Sequence, residues 1–172
     1  MFDLQPLLRG ALVVIRPLAP TDHDALFSVA SDPLIWEQHP AKQRATPEGF
    51  DEFFQDSLAS GGALVVLDAS TNTIIGATRF YGYSGSRSEI EIGWTFLARS
   101  YWGGRYNYDV KQLLLRHAFR FVRHVIFLVD LGNLRSQRAM EKIGGIRYGT
   151  RPNAAGLESI VFRISADAEP FP

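Results

Sequence analysis

Arg99-Ser-Tyr-Trp-Gly-Gly-Arg-Tyr-Asn107 follows a strand-like run, Ser88 to Leu97, and precedes an amphipathic helical pattern, Tyr108 to Arg123. Adjacent glycines let backbone N–H groups converge on a ligand. The next helix adds the partial positive charge of its N-terminus, and Arg105 adds a full one. Phosphate or pyrophosphate suits such a cradle. The plainer alternative is a tight glycine turn joining strand to helix, and the neighbouring segments decide between the two.

Downstream, Val110, Leu113, Leu114, Ala118, Phe121 and Val122 mark a helical core stripe, with Lys111, Arg116, Arg120 and Arg123 on the opposite side. Val125-Ile-Phe-Leu-Val129 is apolar without alternation, as expected of a buried strand parallel to its predecessor, so this region reads as a βαβ unit. Asn133 to Ile143 predicts a short helix stopped by Gly144-Gly145. Ile146 to Thr150 and Ser159 to Ile164 then predict a hairpin around Pro152-Asn-Ala-Ala-Gly156.

Upstream, Ala11 to Leu18 predicts a strand, and Thr21-Asp22 an N-cap for a helix carrying Leu26, Phe27 and Val29. Ser31 to Thr46 is irregular, and Pro47 opens a second helix that ends at Gly61-Gly62. Ala63 to Asp68, Thr73 to Phe80 and Glu89 to Leu97 read as three antiparallel strands.

With 172 residues and 46% hydrophobic content, the chain suits one domain, residues 1–172, able to bury ~70% of its unfolded surface. Eighteen Lys plus Arg balance eighteen Asp plus Glu, so no global field recruits nucleic acid or membrane. The absence of cysteine removes disulfides, thiolate metal sites and a cysteine nucleophile. No metal-ligand pairing is expected among the histidines, and with neither a leader pattern nor a long apolar run the expected location is the cytoplasm.

This order of elements resembles the GNAT superfamily of acyl-CoA-dependent N-acetyltransferases over nearly the whole chain. Val14-Ile-Arg-Pro-Leu18, Glu91-Ile-Gly-Trp94, Tyr101-Trp-Gly-Gly104 and Asn133-Leu-Arg-Ser-Gln-Arg-Ala-Met-Glu-Lys-Ile-Gly-Gly145 carry the resemblance, and they look like the RimJ/RimL branch, which acetylates ribosomal proteins. The resemblance implies an α/β (α+β) fold with a mixed, mostly antiparallel sheet of about seven strands, helices on both faces and a splayed cofactor cleft. Acetyl-CoA would be the cosubstrate, its pyrophosphate on Trp102, Gly103, Gly104, Arg105, Tyr106 and Asn107, with Asn133 and Ser136 nearby. The pantetheine arm would pair like an added strand with Trp94, Phe96 and Leu97, and a backbone N–H of Phe96 or its neighbour would hold the thioester carbonyl. The reaction implied is direct acetyl transfer to a primary amine, a protein N-terminus or a small amine, in a ternary complex. A homodimer is common among such relatives.

Two departures stand out. The branch's usual Trp-Gly-Lys-Gly-Tyr-Ala, laid on Trp102 to Asn107, puts Arg105 at the second glycine and Asn107 at the small residue. Either the turn uses both Gly103 and Gly104, or Arg105 points over the phosphates; the second is expected, since a net-neutral protein binding a polyanion needs cations such as Arg99 and Arg105. Many GNAT enzymes also place a proton-donating tyrosine where this chain has Met140, leaving Ser136 as the nearest hydroxyl for the departing sulfur.

Glu91 is the expected general base, because a carboxylate on a strand ending at the cleft gains a raised pKa from burial; the alternative makes Glu89 and Glu91 the solvent face of an antiparallel strand. Trp36, Glu37 and His39 are candidates for binding the acceptor. A P-loop nucleotidase and a Ser-His-Asp hydrolase lack their motifs. A non-catalytic acyl-CoA-binding module with the same fold is the remaining alternative.

Overall fold

Strand β3 (Ala63–Asp68) is buried at every position, which requires a layer of helix on each side of the sheet. The structure, a computed structural model, describes residues 1–167. On one side α1 (His23–Ala30) and α2 (Pro47–Ala59) pack Leu26, Phe50, Phe53 and Phe54 against Val65, Leu67 and Ala77. On the other, α3 (Arg105–Ala118) and α4 (Leu134–Lys142) pack Val110, Leu114, Met140 and Ile143 against Leu64, Val66, Val125 and Phe127. The period of two along β3 divides its side chains between the two cores.

The sheet joins β1 (Leu8–Arg9), β2 (Val13–Pro17), β3, β4 (Ile74–Ser84), β5 (Glu89–Leu97), β6 (His124–Asp130), β8 (Glu158–Ser165) and β7 (Ile146–Pro152) in that spatial order. Every neighbouring pair is antiparallel except β5–β6. There are thus eight strands among the described residues, one more than expected. The addition is β1, whose two residues are too few to show a period.

The helix after the glycine turn is Arg105–Ala118, shifted toward the N-terminus from the expected 108–123. The chain must turn before β6, and the N–H groups of Arg123 and His124 both donate to the Ser88 carbonyl. Asp22 also differs from expectation. A 3-10 turn, Pro20–Asp22, precedes α1, and the Asp22 carboxylate takes both guanidinium nitrogens of Arg16 at 2.8 Å and the Ala19 N–H, instead of capping the helix.

Helix α3 is tied to the start of the sheet by one side chain. Asp109 Oδ2 accepts from the N–H groups of Leu12 and Val13 at 2.9 and 3.1 Å. A Cβ at Gly10 would collide with the same oxygen, so this approach requires glycine.

Candidate active site

Strands β5 and β6 pair only over Glu89–Glu91 and His124–Ile126, and beyond that rung they separate into a fork. A bulge in β5 shapes the fork. Register with β4 slips between Ala77/Phe96 and Arg79/Gly93, and Trp94 takes a positive φ of 53°, uncommon for a bulky residue. One extra residue reverses the face on which later side chains fall. Ile90 and Ile92 point to the α3 side before the bulge, and Thr95 and Leu97 do so after it; Trp94 and Phe96 join the α1/α2 core.

Backbone direction follows the same logic. The Phe96 carbonyl lies against Gly76 of β4, and the Ala98 N–H donates to Ile75 of β4. Backbone groups alternate along a strand, so those of Thr95 and Leu97 face the fork. Leu97 O already accepts from Trp102 Nε1 at 2.9 Å. Of the positions expected to present an N–H to a thioester, Phe96 is therefore turned away and its two neighbours are not.

Glu91 sits at the last rung on the α1/α2 face. Among the described residues its carboxylate has no hydrogen-bond partner, and it extends along β5 past the last rung, with Oε1 3.2 Å from where a Cβ at Gly93 would stand. Burial pushes its pKa up to about 7, against the opposing pull of Arg151 and Arg79 and with a smaller push from Glu89. Glu89 is buried and ion-paired to Arg151 at 3.2 Å and to Arg87 at 3.5 Å. The two carboxylates are thus not a solvent face, and of the two only Glu91 is without an ion-pair partner among the described residues.

At the other end of β5, Gly103 and Gly104 both adopt positive φ, 107° and 111°, with open space where a Cβ would be. Arg105 therefore begins α3 in helical conformation and is exposed, so the turn uses the glycine pair while the arginine still stands at its rim. Among the described residues no side chain caps this helix, whereas Thr46 caps α2 and Asn133 caps α4. The first-turn N–H groups at Arg105 to Asn107 are left for an anion, and these residues fit a pyrophosphate. Arg99, expected to serve as a second cation, is instead held by Asp32 at 2.5 Å. Tyr106 turns inward, its ring 4.8 Å from that of Tyr101.

The remaining candidates separate by burial. Trp36 is 3% exposed, its Nε1 donates to Ala30 O, and its ring lies 5.0 Å from Phe96, so it forms floor and not a contact surface. Glu37 is exposed. His39 Nδ1 accepts from the Ala41 N–H, and burial, with Arg44 and Arg135, holds its pKa down to about 4. The ring is therefore neutral with its proton on Nε2, a donor and not a base. Asn133 is buried and its side chain accepts the Ser136 N–H, and among the described residues the Ser136 hydroxyl has no hydrogen-bond partner.

Three residues were not singled out in the sequence. Arg79, 3% exposed, holds Asp56 and Ser57 and stacks 4.3 Å over the Trp94 ring, bracing the bulge. Arg135 stacks 4.2 Å over Trp102 and donates to Ile35 O, joining α4 to the 33–39 segment; its place inside the Asn133–Gly145 motif was the one available signal. Lys111, assigned to the polar side of α3, is 3% exposed and faces the fork. Among the described residues no group of His, Cys, Asp and Glu could hold a metal ion, and no helix is long and apolar enough to cross a membrane.

A family model described as an acetyltransferase (GNAT) domain matches residues 13–146. A protein from T. thermophilus assigned as an acetyltransferase is 28% identical, with 96% of this chain and 92% of that one covered and a TM-score of 0.77. An acetyltransferase (GNAT family) from Bacillus anthracis is 21% identical over 95% and 100%, with a TM-score of 0.74. Mycobacterium smegmatis RimJ in complex with CoA-disulfide is 18% identical over 99% and 92%, with a TM-score of 0.75, a likeness of fold. No curated protein matches the sequence.

Proposed function

Since the chain belongs to the GNAT acetyltransferase family, whose common chemistry is acyl transfer from acetyl-CoA, we propose that it acetylates a primary amine by direct attack within a ternary complex. The observation that carries this reading is Glu91: a carboxylate without a hydrogen-bond partner among the described residues, beside the fork, with a pKa of about 7. An amine nucleophile needs a base that is ionised near neutral pH yet basic enough to take a proton, and an ordinary exposed carboxylate is too weak.

The remaining parts have matching roles. Gly103, Gly104 and the first-turn N–H groups of α3, with Arg105, would hold the pyrophosphate, and the fork-facing backbone of Thr95 and Leu97 would hold the pantetheine arm and the thioester oxygen. Acetyl-CoA, when bound, supplies the electrophilic carbonyl carbon. Glu91 accepts the amine proton from the α1/α2 side, where Glu37 and His39 border the acceptor. Ser136 offers its hydroxyl to the departing sulfur, although a hydroxyl is a poor proton source. By resemblance to the RimJ/RimL branch, the acceptor proposed is a peptide or protein N-terminal amine.

The test is a screen of N-terminal peptides and small amines with acetyl-CoA, read by thiol release and preceded by melting with and without coenzyme A. At a hundredfold excess over Kd the ligand should add ~2.7 kcal/mol of stability. A chain that coenzyme A does not stabilise refutes the site. One that is stabilised but inert toward every amine is a binding module and refutes the transferase reading.

A further inference from the structure

Lys111 occupies a place where a lysine is costly. It is 3% exposed on the inner face of α3, and among the described residues no carboxylate forms a salt bridge with it. Its Nζ donates to Thr95 Oγ1 at 3.1 Å, and that oxygen shares a further hydrogen bond of 2.9 Å with Thr78 Oγ1. It also faces the Phe127 ring, whose centroid lies 5.0 Å away. An ammonium group carries three donors, and among the described residues one is used. If packing were the sole requirement, leucine or methionine would fill the space without a desolvated charge.

Its two neighbours fix its position. Glu91 and Ile126 form the last rung between β5 and β6; Phe127 is the next residue on β6, and Thr95 lies on the detached part of β5. Lys111 Nζ therefore sits at the apex of the fork, on the α3/α4 side. Glu91 lies at the last rung, on the opposite face of the sheet. A group held between the strands would have a base on one side and an amine proton source on the other.

We propose that Lys111 is the general acid of the transfer, giving an Nζ proton to the coenzyme A sulfur as it leaves. The proposal rests on the fork being the acetyl-CoA site. The neutral acceptor nitrogen forms the new C–N bond at the carbonyl carbon and yields its proton to Glu91. The C–S bond breaks with its electron pair going to sulfur, and the Nζ proton follows. Products are the amide and the free thiol, with Glu91 protonated and Lys111 neutral, and both exchange with solvent before the next turnover. Nothing is oxidised or reduced.

Burial alone brings the lysine down to about 7, so it is substantially protonated at neutral pH and releases the proton readily. Among the described residues the groups it meets are uncharged: Thr95 from β5, with Thr78 of β4 hydrogen-bonded behind it, and Phe127 from β6. Arg79, Glu89, Glu91, His124 and Asp130 of these strands fall on the other face by alternation, and α4 turns Met140 and Ile143 inward.

The experiment titrates the thiol of bound coenzyme A by the ultraviolet absorbance of its thiolate in wild type, Lys111→Met and Lys111→Arg, alongside kcat. A cation beside the sulfur should hold the bound thiol about one to three units lower in wild type than in Lys111→Met. Lys111→Arg keeps the charge, and so the depressed thiol, but cannot release a proton. Both variants should lose ~10²–10⁴-fold in kcat, with KM for acetyl-CoA changed only a few-fold. A bound thiol that titrates alike in wild type and Lys111→Met, or full kcat in Lys111→Arg, overturns the proposal while leaving the acetyl-CoA site intact. Failure of wild type to bind coenzyme A overturns the site itself. If Lys111→Met does not fold, wild type is compared with free coenzyme A, and an unshifted thiol is decisive against the assignment.

Discussion

Glu91→Gln should make the protein more stable and less active at the same time, by an amount that depends on pH. The folded carboxyl titrates near 7 and the unfolded one near 4.5. A raised acid pKa means that the folded state binds more protons than the unfolded state between those values, so stability falls as pH rises through that window and stays low above it. A displacement of this size is worth about 3 kcal/mol. At pH 4.5 the folded carboxyl is neutral and the unfolded one about half ionised, so the glutamine variant should match wild type to within about 0.5 kcal/mol. At pH 8 it should be more stable by up to about 3 kcal/mol, or roughly 6–12 °C in Tm for a chain of this length. Urea denaturation of both proteins at the two pH values measures the difference. Initial rates across the same range should show wild-type kcat/KM rising up to about pH 7, above which Lys111 loses its proton and the rate falls, and the variant nearly inactive throughout. A stability difference that is the same at pH 4.5 and pH 8, or a wild-type profile that levels off below pH 5, would refute the assignment of Glu91 as a desolvated base.

Arg105→Ala should weaken coenzyme A by about ten- to a hundredfold in calorimetric titration, since a charge-assisted contact is worth ~1.5–3 kcal/mol; Arg105→Gly should not restore it, because the glycine turn ends at Gly104 and residue 105 is helical. Unchanged affinity in both would place the phosphate contacts on the backbone alone. Asp109→Ala leaves the Leu12 and Val13 N–H groups without their acceptor and should cost about 2–4 kcal/mol in urea unfolding, with no effect on which amine is used; a loss below about 0.5 kcal/mol would contradict this tie. With no cysteine to carry an acyl group, initial-rate plots in the two substrates should intersect, and parallel lines would refute direct attack.

The order of elements and the glycine turn were legible because each has a local cause: periods of 2 and 3.6 residues, proline at a helix start, adjacent glycines before a helix. The place of Glu91 on the strand that leads to the turn was legible too, from its motif. The bulge was not. Trp94 adopts its positive φ because of how β4, Arg79 and the fork meet, and nothing in Gly-Trp-Thr-Phe announces it. That single irregularity moved the fork-facing backbone from Phe96 to its neighbours. Lys111 was misread for a related reason: a charged residue beside an apolar stripe ordinarily lies in water, and only the splayed strands create an interior site for it. Arg99 was misread as a free cation because its partner, Asp32, is 67 residues away in sequence.

The short seam between β5 and β6 has a kinetic consequence. Strands β1 to β5 form a meander of sequence neighbours, and β6, β8 and β7 form a second block in which β6 and β8 are joined over seven residue pairs; three pairs link the blocks. Such a seam is the natural boundary between cooperative units. In amide exchange the β6–β8–β7 block should open as one body, more often than the meander does. A ligand lying in the fork would bridge both blocks, so its signature should be slowed exchange along the seam, far from the turn that grips its phosphates.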